Sequence, residues 1–334
     1  MMKHGILIFT LAAVALVCVS LWLVYWPFTP PEDADPVEIK VRWGASFAEV
    51  ERRLIESKAV RHGSVFSLAA RLTGLGRELK AGLYRFPRGS SVHHVLTSLE
   101  SGRGGYVKVT LPEGLRIGQI AAVLEARLEI DSAAFVALAH DSAFIAELGI
   151  GAPSLEGYLF PETYFFSFGI GERRVIRAMV EQLRARLPRT MPPDRTLHQV
   201  LTLASIIEGE AMLAGEMDTI ASVYCNRLSA GMCLQADPTI QYLIEGTPRR
   251  LLNRDLEIDS PYNTYKYAGL PPGPINSPGL DAILAAVEPA KTGYLYFVAD
   301  GEGGHIFSTT LREHLRAKRR FDRIRAQVRR EQSG

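Results

Sequence analysis

The sequence predicts an α+β protein with a single N-terminal transmembrane helix, a small strand–helix module over residues 37–105 and a larger mixed domain over residues 106–330. Three observations predict this fold class. An uncharged apolar run occupies residues 5–26, strand–turn–helix patterns recur after it, and long amphipathic helical patterns fill the second half. A chain of 334 residues is also too long for one ordinary core, so two or three folded units are expected.

The composition is that of a globular protein, with 47% hydrophobic and 22% charged residues, so long disordered regions are not expected. The net charge of +2 gives no general attraction to nucleic acid. The sequence contains no zinc-type Cys/His spacing and no glycine-rich phosphate loop after a strand. We therefore expect no metal, no cofactor and no nucleic-acid partner.

The apolar run Gly5–Trp26 predicts an uncleaved membrane anchor. As a helix it spans roughly 33 Å, enough for the hydrocarbon core, and aromatic residues that favour the interface stand at its far end. Lys3 precedes it, so the positive-inside rule places residues 1–4 in the cytoplasm and everything after Pro27 on the outer side of the inner membrane. The alternative, a cleaved signal peptide, would have a shorter core and small residues at its end.

After a Pro-rich linker at 27–36, a strand–glycine–helix pattern occurs three times. The strands begin near Ile39, Leu83 and Val107, and the glycines are Gly44, Gly89 and Gly114. An extra helix is predicted at Val65–Leu72. Units of this kind are typical of compact binding modules, although they can also serve only as scaffold.

The second half predicts a succession of helices, a long loop and a hairpin. Thr196 and Gln199 form a capping-box pattern, and Asp237-Pro238 is expected to cap a short helix. Residues 261–280 are rich in Pro, Gly and Asn, which indicates a functional loop. The predicted helices are Ser132–Leu148, Glu172–Leu187, Leu197 to about Ala214, Glu216 to about Ser229, Leu280–Val287 and an arginine-rich tail from Leu311; the predicted hairpin strands are Tyr294–Ala299 and His305–Phe307.

Two carboxylates end the apolar segment Leu203–Ala211, which predicts a general acid. On a helical wheel Glu208 falls inside the apolar stripe and Glu210 lies at its margin. Desolvation raises a carboxyl pKa, as a proton donor near neutral pH requires. The alternative is a structural glutamate paired with a buried arginine such as Arg227.

Cleavage of a glycosidic bond fits this pattern, and hydrolases usually add a second carboxylate as base or nucleophile. The candidates are Glu156, Glu162 and Asp237, and no spacing selects one of them. An enzyme whose nucleophile is a hydroxyl group of the sugar itself would not need this second carboxylate. Carbohydrate contacts are predicted for polar and aromatic residues of the loops, namely Tyr158, Glu162, Gln235, Asp237, Tyr262, Asn263, Tyr265, Asn276 and His305.

Cys225 and Cys233 are eight residues apart and would be able to pair in an oxidising compartment, although two separate buried thiols are the simpler interpretation.

Taken together, the motifs resemble the MltG (YceG-like) family of endolytic murein transglycosylases. The matching strings run in family order through nearly the whole chain; they are Leu203–Ala211, Ala221–Leu228, Gly231–Thr239, Tyr262–Tyr265, Gly269–Ile275, Ser277–Gly279 and Tyr294–Phe307. The resemblance implies cleavage of nascent peptidoglycan between N-acetylmuramic acid and N-acetylglucosamine, with 1,6-anhydro ends and termination of glycan polymerisation. It implies peptidoglycan synthases as partners and a LysM-like module after the anchor.

The resemblance also selects Glu210 as the catalytic acid and base, with Glu208 as the second choice. Gly209 departs from the family pattern, in which a larger residue often stands between the two acids, and is expected to loosen the helix there. Two other functions stay open at this point: a lysozyme-like peptidoglycan hydrolase, and a non-catalytic membrane-anchored protein that binds glycan.

Overall fold

The structure is a computed structural model that describes residues 14–15, 18–19, 22, 24–25, 35–42, 44–60, 63–74, 79–102, 105–244, 246 and 249–331, with side chains to residue 323. The predicted cytoplasmic tip, and the anchor and linker apart from scattered positions, lie outside the described residues. No helix among the described residues is long and apolar enough to cross a membrane. The described chain is a mixture of helices and short strands, as expected for an α+β protein.

The chain divides into two compact units, and the boundary differs from the predicted one at residue 105. The first unit comprises the chain up to Val109 together with Leu124–Ile130 and Tyr164–Glu172. The second comprises Thr110–Val123, Asp131–Thr163 and everything from Arg173 onward. Two segments of the predicted larger domain therefore belong to the first unit, because spatial contacts do not follow sequence order.

The first unit is built on an antiparallel pair of strands, β1 (Val37–Val41) and β2 (Gly82–Phe86), in which Val37 pairs with Phe86 and Val41 with Gly82. Alternate residues of both strands are buried, as expected when one face packs on a core. Three helices accompany the pair: α1 (Phe47–Glu56), α2 (Gly63–Thr73) and α3 (Val92–Ser101).

The repeated strand–glycine–helix pattern is confirmed locally. Gly44, Gly89 and Gly114 all have left-handed backbone, with φ of 77°, 71° and 76°, a conformation that glycine adopts without strain. The three strands do not form one sheet, however. The third, β3 (Val107–Thr110), pairs with β4 (Thr163–Phe166).

The second unit is mainly helical. Its helices are α4 (Ile117–Leu128, which ends in the first unit), α5 (Ser132–Ala139), α6 (Ser142–Glu147), α7 (Glu172–Arg186), α8 (Leu197–Glu210), α9 (Met217–Ser229), α10 (Asp237–Leu243), α11 (Leu280–Val287) and α12 (Leu311–Glu331). The predicted helix Ser132–Leu148 is two helices because Asp141 caps α6.

The helix α8 is the core of the second unit, since every residue from Val200 to Ile207 is buried. It packs against α9, α10 and α11, and the predicted capping box of Thr196 and Gln199 is present at its start. The last strands, β5 (Tyr296–Ala299) and β6 (His305–Ser308), form an antiparallel hairpin on which α12 packs.

The helix α8 was predicted to continue to about Ala214 but ends at Glu210. Ala211 has extended backbone, and the chain then passes through a short 3₁₀ turn, Ala214–Glu216, into α9. Gly209 does not loosen the helix as expected, because helical structure continues through it to Glu210. A Cβ at Gly209 would lie 2.6 Å from Pro238 Cβ, so α8 and α10 pack very closely here.

Candidate active site

A cleft of about 410 Å³ in the second unit contains the carboxylate predicted to be catalytic. Helix ends supply one part of it, with Glu210 at the end of α8 and Asp237 at the start of α10. The hairpin β5–β6, the first turns of α12, one residue of α9 and the neighbouring loops supply the rest. The lining residues are Glu210, Arg227, Leu234, Gln235, Asp237, Tyr265, Phe297, Val298, Ala299, His305, His314 and Lys318.

Glu210 is half-buried in this cleft and accepts a hydrogen bond of 2.9 Å from the Tyr224 hydroxyl. Burial, and less strongly the nearby Asp237 carboxylate, raise the pKa of Glu210 from its ordinary value to about 7. The Tyr224 hydroxyl, the main-chain N–H of Asp237 and the Arg227 charge lower it and partly offset these effects. A carboxyl with this pKa is about half protonated at pH 7, which suits a group that must both give and take a proton.

Glu208 points elsewhere. Its Oε2 accepts the main-chain N–H of Gly279 at 2.9 Å, at the start of α11. Burial raises its pKa, and the neighbouring Glu113 and Asp281 carboxylates add to the increase. Glu208 therefore satisfies a helix N-terminus and does not line the cleft. The helical wheel placed it deeper in the apolar stripe, but a wheel does not show which acid faces a cavity.

The loop before α10 and the loop at residues 261–280 place further polar groups in the cleft. Tyr265 donates its hydroxyl to the Asp237 carboxylate. Gln235 has a φ of 52°, a left-handed backbone conformation that is unfavourable for residues other than glycine. Its main-chain N–H donates a hydrogen bond of 2.9 Å to the Thr264 carbonyl. Asp237 was expected to cap α10, but Ala236 occupies that position and Asp237 is the first helical residue. Its N–H is thereby free to bond Glu210.

His305 also lines the cleft, and its acidic partner is Glu216. Its Nδ1 lies 2.7 Å from Glu216 Oε2, and its main-chain N–H donates to Glu216 Oε1 at 2.9 Å. The nearby Asp300 carboxylate accepts the main-chain N–H groups of Glu302 and Gly304 within the hairpin turn. Glu216 and His305 are 89 residues apart, and no local pattern in the sequence connects them.

Arg227 is buried and lines the cleft. Its Nε donates to the Leu295 carbonyl at 2.7 Å, and a terminal nitrogen donates to the Leu234 carbonyl at 2.6 Å. These bonds join α9 to the hairpin and to the loop before α10. Among the described residues Arg227 forms no ion pair, so the alternative in which it neutralises a buried structural glutamate is not what the structure shows.

Four of the predicted glycan-binding residues therefore meet Glu210 in the cleft, and the other five lie elsewhere. The four are Gln235, Asp237, Tyr265 and His305. Of the three candidates for a second carboxylate, only Asp237 lines the cleft. Glu156 is buried and accepts the N–H of Ile117 at the start of α4, and burial raises its pKa to about 7. Glu162 pairs with Arg186 at 2.7 Å.

The remaining residues hold the loops in place. The buried Tyr158 bonds His198 at 2.9 Å. Asn263 is fully buried, donates to two main-chain carbonyls and accepts the N–H of Tyr265, so it positions that tyrosine. Asn276 donates to the Ser205 carbonyl at 2.9 Å and attaches the 261–280 loop to α8. Tyr262 packs against the ring of Tyr242 with centroids 5.0 Å apart.

The structure adds functional candidates that were not singled out from the sequence, namely Tyr224, Glu216 and His314, and it brings Lys318 of the basic tail into the cleft. Tyr224 lies in one of the quoted family strings, which was the available signal for it. The two cysteines are free thiols and do not pair.

The sequence pattern of the YceG-like family matches residues 39–320, most of the chain and all of the cleft. The chain belongs to the YceG-like family. An endolytic murein transglycosylase from Bacillus subtilis (strain 168) is 35% identical to this YceG-like protein over 305 residues, covering 85% of this chain and 84% of the relative. Another from Streptococcus pneumoniae serotype 2 is 30% identical and covers 81% of this chain, which spans only 55% of that relative.

A solved structure is similar as well. The crystal structure of a yceG-like protein from Listeria monocytogenes aligns with a TM-score of 0.58 at 32% identity. The alignment covers 84% of this chain and 98% of the other. This YceG-like protein therefore shares its fold with a protein that has been solved experimentally.

Proposed function

We propose that this chain is a peptidoglycan lytic transglycosylase that cleaves the bond between N-acetylmuramic acid and N-acetylglucosamine within nascent strands. The observation that supports it most is Glu210, a carboxyl with a pKa of about 7 in a polar cleft of a protein whose relatives are named endolytic murein transglycosylases.

Glu210 serves as both acid and base. In its protonated form it donates to the glycosidic oxygen as the bond to C1 of the muramic acid breaks, and the N-acetylglucosamine hydroxyl leaves. The resulting carboxylate then takes the proton of the muramic acid C6 hydroxyl, whose oxygen attacks C1. This closes a 1,6-anhydro ring, consumes no water and returns Glu210 to its protonated form.

The surroundings of Glu210 suit this cycle. Tyr224 and the N–H of Asp237 stabilise the carboxylate that forms in the first half, while burial and the Asp237 charge favour the return of the proton. In this proposal Gln235, Asp237, Tyr265 and His305 contact the sugars that flank the scissile bond. The Glu216 carboxylate fixes the orientation of the His305 ring.

The main alternative is a hydrolase of the lysozyme kind, for which Asp237 is the available second carboxylate. One oxygen of this carboxylate already accepts the Tyr265 hydroxyl and is therefore less available to a water molecule. A protein that binds glycan without cleaving it is less consistent with the raised pKa of Glu210, because a binding site has no need of a proton donor at neutral pH.

Mass analysis of digested peptidoglycan distinguishes these functions. We expect muropeptides with 1,6-anhydro ends, released from within strands. Reducing ends would identify a hydrolase, and the absence of products from folded protein would identify a binding protein. If the enzyme terminates polymerisation, strands made by a synthase in its presence will be shorter, as expected of a partner of the synthases.

We further propose that residues 5–26 anchor the protein in the inner membrane, with the chain after Pro27 outside the cytoplasm, and that residues 37–105 form a LysM-like glycan-binding module. The uncharged run and its flanking charges support the anchor. In this proposal the anchor holds the protein at the membrane and takes no part in the cleavage reaction.

A truncation that begins at Asp35 tests this proposal. We expect full-length protein in the membrane fraction after alkaline extraction, whereas the truncated protein is released and still digests isolated peptidoglycan. Release of the full-length protein would contradict the anchor, and a well-folded but inactive truncation would show that the N-terminal segment contributes to catalysis.

A further inference from the structure

The cleft contains a cationic region that the proposed chemistry does not use. The helix α12 packs on β5 and β6, and its first turns bring His314 and Lys318 into the cleft, four residues apart on one face of the helix. Arg227 enters the same cleft from α9. Two permanent positive charges therefore share a cavity with the proposed catalytic acid.

These groups are close to one another. The Arg227 guanidinium carbon lies 5.4 Å from the centre of the Tyr296 ring, and the His314 ring stacks on the same tyrosine with centroids 5.4 Å apart. Burial lowers the pKa of His314, and the charges of Lys318 and then Arg227 lower it further, which is the expected effect of cations beside a neutral ring.

The contacts of these two charges also leave them available to an anionic ligand. Neither Arg227 nor Lys318 forms an ion pair with any side chain in the described part of the chain. The acids in the same cleft have other contacts, because Glu210 accepts from Tyr224 and Asp237 accepts from Tyr265. Hydrogen bonds to main-chain carbonyls fix the Arg227 side chain in place at the cleft. The guanidinium group therefore needs little reorganisation to bind an anion.

We propose that Lys318 and Arg227, beside His314, form a subsite for the carboxylate substituents of the glycan. This inference rests on the proposed function, which supplies the substrate class. Muramic acid carries a lactyl group, whose carboxylate is either free or joined to a peptide that bears carboxylates of its own. Both sources present the same chemistry, a carboxylate that receives charge-assisted hydrogen bonds from ammonium and guanidinium groups.

The subsite contacts a substituent and not the reacting atoms. The interaction is therefore equally strong in the bound substrate and in the transition state, and its loss raises KM while kcat changes little. This distinguishes Lys318 from a residue that acts on Glu210, whose loss would lower kcat.

The test uses soluble un-cross-linked murein strands and full-length protein in detergent. The strands are prepared with peptide stems and without them, and each kind is used with its carboxylates free or converted to neutral amides. Wild type is compared with Lys318→Gln, with Lys318→Arg, and with Arg316→Gln. Arg316 is an exposed residue of α12 that does not line the cleft, so its replacement removes the same charge from the same helix.

We expect amidation of the strands to raise KM about tenfold for wild type, Lys318→Arg and Arg316→Gln. This is the effect expected when one charge-assisted hydrogen bond between protein and substrate is lost. Lys318→Gln should show a raised KM on untreated strands and a smaller further effect of amidation than wild type, because only Arg227 then remains to bind the carboxylate. The strands on which the difference appears, with or without stems, identify the source of the carboxylate.

Equal sensitivity to amidation in wild type and Lys318→Gln would overturn the subsite while leaving the proposed function intact. If wild type cleaves none of the strands, the proposed function fails instead. The subsite is then decided by equilibrium binding of N-acetylmuramic acid and its amide. A larger loss of affinity on amidation in wild type than in Lys318→Gln supports the subsite, and an equal loss in both proteins, or none in either, overturns it.

Discussion

Replacing Glu210 by Gln should reduce the rate of strand cleavage by about 10²–10⁴-fold, the usual cost of removing an essential proton donor. The amide has nearly the same shape and can still accept the Tyr224 hydroxyl, but it has no proton to give to the glycosidic oxygen. The measurement is the rate of appearance of 1,6-anhydro ends from purified peptidoglycan, which resolves a fall of this size directly.

The matched control is Glu208→Gln, a substitution two residues away on the same helix. Because Glu208 bonds the N–H of Gly279 and does not line the cleft, this variant should retain most of the wild-type rate. A dead Glu208→Gln beside an active Glu210→Gln would show that the assignment of the acid is wrong.

Stability gives a second check on Glu210→Gln, because lost activity must not reflect unfolding. The folded-state pKa of Glu210, about 7, is above its ordinary value of 4.5, so stability is lost as pH rises from about 4.5 through 7 and the folded-state carboxyl ionises. Removing the charge should raise the free energy of unfolding at pH 8 by on the order of 2 kcal/mol. Thermal melts should show a clear gain at pH 8 and almost none at about pH 4, below the unfolded pKa.

The second large effect is on the pH dependence of cleavage. Since the first step needs protonated Glu210, the rate should fall as pH rises above about 7, the pKa of that carboxyl. Two pH units above the pKa, about 1% of the enzyme keeps the proton, so kcat/KM at pH 9 should be roughly one hundredth of its plateau value. The measurement is kcat/KM for soluble strands between pH 5 and pH 9.

Two substitutions should move this profile in opposite directions. Tyr224→Phe removes a hydrogen bond to the carboxylate, so the pKa of Glu210 and the basic limb of the profile should shift upward. Asp237→Asn removes a neighbouring negative charge, so the limb should shift downward. A limb that moves in the same direction in both variants, or in neither, would mean that another group controls it.

Local features of the fold could be read from the sequence because local energies determine them. The capping box of α8 needs only Thr196 and Gln199 at the correct spacing. The glycine turns after β1, β2 and β3 reflect a backbone conformation that disfavours other residues. The division into units was less predictable, since Leu124–Ile130 and Tyr164–Glu172 join the first unit through contacts far apart in sequence.

The sequence by itself determined the family, the two candidate acids on α8 and the residue types expected around a glycan, because these depend on motif and composition. Only the tertiary structure decided which of Glu208 and Glu210 faces the cleft. Positions two apart on a helix point in different directions, and the residues around each of them come from distant segments of the chain. The same holds for the pairing of Glu216 with His305 and for the charges of Arg227 and Lys318 in one cavity. The helices α9 and α12 are brought together by packing on the hairpin β5–β6, and such long-range contacts leave no local pattern in the chain.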